Sequence, residues 1–78
     1  METLYIVNEL GTVVAWAEVT EFDLESLNLE APVEVGLFGT HYAYTQREID
    51  THGWNTDGNA YIATVSDPST NTFTLTPL

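Results

Sequence analysis

Two histidines and a scatter of carboxylates are the residues best suited to chemistry in this 78-residue chain. His41 and His52, with Asp50 and Asp57 nearby, are nitrogen and oxygen donors of the kind that hold zinc or a harder cation. Their spacing matches no standard site and cysteine is absent, so turn or surface histidines are the simpler reading. Asp57-Gly58-Asn59 is similar to a fragment of a calcium loop. The regularly spaced oxygens and terminal bidentate acid of a full loop are missing, which leaves a turn. Paired carboxylates can serve as acid and base, yet among twelve Asp and Glu nothing marks one pair above the rest. There is no Gly-rich phosphate loop and no Gly-x-Ser-x-Gly element. Arg47 is the only Lys or Arg, so no cationic clamp for a phosphate or carboxylate substrate is available. The expectation is a protein with no catalytic residue, no cofactor and no metal, acting by contact with partners.

The charge balance points the same way. The formal net charge is −11, although charged residues make up only 17% of the chain. It is therefore poor in cations rather than dense in charge, and its acids repel one another with little to neutralise them. Such a surface repels a bare duplex and an anionic membrane, both of which are bound through basic groups. Direct nucleic-acid binding and membrane binding are not expected. Glu18, Glu21, Asp23, Glu25, Glu30 and Glu34 form the densest acidic run. It is either a solvated face or a surface that meets a basic partner and speeds the encounter. Trp54, like Trp16, is a candidate core or interface anchor. Phe73 is a candidate apolar contact.

Local patterning supplies the elements that must position these groups. Leu4 to Val7 is β-branched and aromatic and reads as a strand. Asn8 to Gly11 is a turn, and Thr12 to Val19 a second strand, giving an N-terminal hairpin. Thr20 to Leu29 is the best helix candidate, with Thr20 as cap and Asp23 at the third position after it. Pro32 ends that segment. Val33 to Phe38 reads as a strand closed by Gly39. His41 to Ile49 reads as a strand, with Tyr42, Tyr44, Gln46 and Glu48 on one face. His52 to Asn59 is a loop. Tyr61, Ala63 and Val65 alternate with polar and small residues, as do Phe73 and Leu75 after the turn Asp67 to Asn71. These two runs form a hairpin with one apolar face and a Thr-rich outer face, and Pro77 limits the last strand. The sum is a mainly β single domain over residues 1–78. It is a small barrel, roll or sandwich of about six short strands with at most one short helix. A core this small leaves room for stabilisation by neighbouring subunits, so a homo-oligomer is one expected state.

The passage Gly58 to Pro77 resembles a short hairpin that recurs in phage head and tail proteins. Its general form is Asn-Gly-x-Tyr-x-Val-x-x-Val, a turn, then Asn-Thr-Phe-Thr-Leu. The matching residues are Gly58 to Tyr61, Val65 and Asn71 to Leu75, with the glycine before Asn59 rather than after it. The composition (no Lys, excess acid, abundant Thr) is also similar to proteins of salt-loving archaea and their viruses, although Glu outnumbers Asp here. The resemblance implies a virion structural protein, a capsid decoration or head–tail component that binds neighbouring virion subunits. A different class fits the charge instead. Phage anti-CRISPR and other nucleic-acid-mimic inhibitors are small and acidic, and they block a basic nucleic-acid-binding channel. For these the acidic run, with Glu48 and Asp50, would stand in for phosphates. The start of the chain has no basic segment before an apolar stretch, so residence in the virion, or in the host cytoplasm for an inhibitor, is expected.

Self-repulsion of an uncompensated acidic chain makes a direct prediction. Thermal melts should show Tm rising as NaCl is raised from about 0.01 to 1 M, the range over which the Debye length shrinks from about 30 to 3 Å. A Tm that is flat or falls with salt contradicts the repulsion argument.

Overall fold

The computed structural model describes Met1–Leu78. Apolar residues recurring at alternate positions produce five strands: β1 (Glu2–Asn8), β2 (Val13–Val19), β3 (His41–Thr45), β4 (Tyr61–Asp67) and β5 (Thr72–Pro77). They form one sheet in the order β3-β1-β2-β4-β5. All neighbours are antiparallel except β2 and β4. Two short helices, α1 (Glu21–Ser26) and α2 (Gln46–His52), and a 3-10 turn (Pro68–Thr70) complete the chain. The mainly β class agrees with the sequence pattern.

The sheet curls until its two edges nearly meet, and the Val33-Glu34 segment joins them. Val33 N–H donates to His41 O at 2.8 Å, on the β3 edge. Glu34 N–H donates to Asn71 O at 2.9 Å, and Phe73 N–H donates to Glu34 O at 2.8 Å, on the β5 edge. The result is a small barrel whose sixth stave is two residues long. The strand expected over Val33–Phe38 is thus reduced to isolated bridges at Val33 and Glu34.

The barrel interior explains the alanines in strands, where alanine has no intrinsic advantage. Ile6 lies between Ala43 and Ala15, Leu4 faces Ala17, and Leu75 faces Ala63. Each large side chain meets a small one across the strands, which lets a tightly curved sheet fill its interior without voids. Leu27, Val33 and Val35 cover this core, and Phe73 packs within it.

The outer face has a second, smaller core. Strict alternation from Ala15 would turn Val13 inward. A bulge between Ile6 and Val7 shifts the register so that Val13 pairs with Val7 instead. Val7 and Val13 then pack beneath Ile49 of α2.

α2 corrects the strand expected through Ile49. Thr45 and Glu48 form a capping box: Glu48 N–H donates to Thr45 Oγ1 at 3.3 Å, and Thr45 N–H donates to Glu48 Oε1 at 3.0 Å. The helix ends at Gly53, which takes φ 73. Two helices therefore stand where at most one was expected. α1 begins at Thr20, whose Oγ1 accepts from Asp23 N–H at 3.2 Å. Pro77 does not end the last pairing, because Leu78 N–H still donates to Ala60 O at 3.0 Å.

Asn71 fastens the closure. It is buried at φ 55. Its Oδ1 accepts from Asn28 N–H at 2.8 Å, while its Nδ2 donates to Asn28 O at 2.7 Å and to Pro32 O at 3.4 Å. Asn71→Ala should lower stability by about 3 kcal/mol, combining lost hydrogen bonds, stranded Asn28 groups and left-handed strain. Asn71→Gly removes the strain part and should cost about 1 kcal/mol less. Denaturant midpoints of the two variants check both numbers, and equal losses contradict the strain contribution.

Candidate protein-contact site

The acidic run does not converge on a point. Glu18 lies near the end of β2, exposed, where Thr3 Oγ1 donates to its Oε1 at 2.9 Å. Glu21 and Glu25 are exposed on α1, a helix with no buried residue, and Asp23 is half-buried there. Glu30 and Glu34 follow on the segment that crosses to the barrel closure, both exposed. No group of three or more His, Asp or Glu is placed to hold a metal ion. Glu48 is committed to the α2 cap, and Asp50 Oδ1 accepts from Gln46 Nε2 at 2.9 Å.

The histidines are not brought together as ligands. His41 is buried in β3, with Nδ1 3.1 Å from Gly39 O. His52 lies at the end of α2 and stacks on Trp54, with ring centroids 4.2 Å apart and planes 12° from parallel. Tyr44 meets Trp54 edge-on at 4.9 Å. This cluster sits on a row across the outer face in which Tyr44, Tyr5, Trp16 and Ile62 are consecutive cross-strand neighbours. Asn59 is best satisfied with Oδ1 accepting from Trp16 Nε1 at 3.3 Å and Nδ2 donating to Thr56 O at 2.7 Å. Trp54 is therefore half-buried and occupied, holding α2 and the following loop against the sheet.

An opening lies where the barrel closure stops. After Glu34 bridges Thr72, residue 36 would continue the ladder along β5. Gly36 instead takes φ 76, and its N–H donates to Glu34 Oε1 at 3.1 Å. The chain swings away and leaves a groove of about 480 Å³ between residues 34–37 and β5. Val35, Leu37, Tyr61, Phe73 and Leu75 contribute its apolar lining. Phe73, the candidate apolar contact, is 3% exposed, so its ring belongs to the core and contributes to the groove wall. Phe38, next to Leu37, is fully exposed at 104%.

The β5 edge beside the groove is unevenly equipped. Phe73 N–H faces away from β4 and is taken by Glu34 O. Alternation directs the N–H of Leu75 to the same side, and Pro77 has none to offer. The carbonyls of Phe73, Leu75 and Pro77 point the same way. The edge thus offers three acceptors and one donor. The sequence carried a sign of this edge in its Thr-rich last strand. The groove itself needed the Gly36 conformation, which sequence does not specify.

Comparisons with protein-family models, curated proteins and solved structures found no match.

Asp67, at the start of the turn that leads to this edge, makes a pH prediction. Its carboxyl is held below the ordinary value of 3.8, chiefly because Ser69 Oγ donates to Oδ1 at 2.7 Å, joined by Ser69 N–H at 3.1 Å. A carboxyl lowered by folding adds stability above its unfolded pKa and loses it as pH falls through the folded value. Asp67→Asn should therefore melt below the parent at pH 7, with the gap narrowing as pH falls below about 3.8. A gap that stays constant with pH assigns the difference to something other than the ionised carboxylate.

Proposed function

We propose that this chain is a non-enzymatic structural protein of a virion, a capsid decoration or head–tail component that binds neighbouring subunits through the β5 edge. The observation that carries the proposal is the interrupted ladder at Gly36. It leaves an apolar groove beside an unpaired stretch of the β5 edge. Unpaired edges are usually short, charged or covered in proteins that stay apart. Here the edge lies in the hairpin that resembles those of phage head and tail proteins. Many copies of a modest contact add up on a lattice, as multivalency allows.

The alternative, an acidic mimic of nucleic acid, is favoured by a separate observation. α1 buries none of its residues, and it presents Glu21 and Glu25 to solvent beside Glu18 and Glu30. The two readings predict opposite responses to salt, because apolar and strand contacts are screened far less than a charged interface.

Mass spectrometry of particles purified from a culture producing the chain should find it in many copies per particle, retained after a wash in about 1 M NaCl, where the Debye length is about 3 Å. A chain missing from particles that binds a basic nucleic-acid-binding protein, with affinity collapsing over the same salt range, overturns the structural reading in favour of the mimic.

A further inference from the structure

We propose that the groove beside β5 receives an extended, Lys- or Arg-bearing segment of a different protein as an added strand, and that a second copy of this chain cannot fill that place by pairing its own β5. The inference rests on the contact reading above and names the partner chemistry at the same edge.

The supply of backbone donors and acceptors decides between the two occupants. Edge-to-edge pairing needs an N–H from one strand for every bond. The free edge of β5 brings one donor, Leu75 N–H, because Phe73 N–H is held by Glu34 O and Pro77 has no N–H. Two copies together bring two donors, so a self-paired β5 makes at most two bonds in any register. The remaining carbonyls are then left facing one another without donors, which is costly once water is displaced. A foreign strand with its full set of amides makes up to four bonds, three to the carbonyls of Phe73, Leu75 and Pro77 and one from Leu75 N–H.

Charge selects among foreign strands. Unmatched carbonyls carry partial negative charge toward the groove, and Glu34 lines it. The chain as a whole stands at −11, so a second copy and an acidic segment are both repelled, whereas a cationic one is attracted. The apolar lining from Val35, Leu37 and Leu75 accommodates alternate side chains of such a strand, leaving the intervening basic ones toward solvent and Glu34.

The test uses the full chain, labelled with ¹⁵N, and an eight-residue peptide alternating valine and lysine. Two control peptides accompany it, one N-methylated at alternate amides and one with glutamate in place of lysine. The lysine peptide should shift the amide signals of Gly36 and Leu75 and slow exchange of the Leu75 amide about tenfold or more, as a new hydrogen bond requires. N-methylation should weaken binding about tenfold or more, and the glutamate peptide should not bind. In sedimentation the chain alone should remain monomeric.

Equal binding of the N-methylated peptide, or shifts confined to Glu21–Glu25, overturns strand addition in the groove. So does dimerisation that protects Leu75 without peptide. A Leu75→Pro chain that melts lower, through lost packing on Ala63, yet is still folded at the binding temperature and loses the lysine peptide supports the assignment. Particle binding that survives Leu75→Pro overturns the groove as the docking place and leaves the virion reading intact. Peptide binding without particle association overturns the virion reading and leaves the groove intact.

Discussion

One buried amide holds this barrel closed. Asn71 sits where the 3-10 turn meets β5, and its side chain bonds both the N–H and the carbonyl of Asn28, with a further contact to Pro32 O. Its own carbonyl accepts from Glu34 N–H. The stretch from Asn28 to Glu34 is therefore tied at three points to the residue that opens β5, about forty positions further along the chain. The left-handed conformation at φ 55 is what aims the side chain and the carbonyl in different directions, and asparagine tolerates it better than most residues. Glu34 owes its place to that tie. The position of Glu34 in turn decides where the ladder along β5 begins, and Gly36 decides where it stops. The groove is the gap between those two decisions.

The rest of the fold is arranged so that a chain with only 16 buried residues can still close. A narrow barrel cannot hold large side chains from every strand, so Ala15, Ala17, Ala43 and Ala63 make room for Leu4, Ile6 and Leu75. That leaves the interior alone too small to be generous, since a core of this kind gives only a modest margin over chain entropy. The bulge in β2 answers this by sending Val13 outward to a second core, where α2 and Trp54 cover it. Two thin cores on opposite faces of one sheet do the work that a larger protein assigns to one.

Much of this was legible in the sequence wherever the information is local. Period-two alternation located β1, β2, β4 and β5, and Thr20 marked the start of α1. α2 was misread because Tyr42 and Tyr44 alternate in β3, and Gln46 and Glu48 continue that polarity in step. The Thr45-x-x-Glu48 box and Gly53 were present as the competing signal, and a reciprocal cap outweighs alternation that buries nothing. The sixth stave was overestimated for a different reason. Val33, Val35 and Leu37 do alternate, but pairing requires the neighbour to stay alongside, and Gly36 turns the backbone away. The alternation that puts Phe73 on the apolar face of the hairpin also carries it into the core, which leaves it little surface for a partner. The placement of the acidic residues along α1 and its flanks, rather than around a common point, is a property of the folded chain.

That placement separates two physical ranges of interaction. From Gly58 to Leu78 the only acid is Asp67, and its carboxylate is engaged with Ser69. The hairpin that carries the open edge therefore brings no free acidic side chain of its own. Negative potential at the groove comes from unmatched carbonyls and from Glu34 at short range, and from the rest of the acidic surface at long range. Long-range attraction speeds and orients an encounter but fades with salt, while strand pairing and apolar contact persist. On the proposed reading, such a chain would recruit a cationic partner through its acidic surface and then hold it through bonds confined to a few residues of β5. The same donor shortage that makes the edge acceptor-rich disfavours pairing of β5 with the β5 of a second copy. An edge short of donors resists pairing with its own copy, and on the proposed reading it would thereby stay available to a partner.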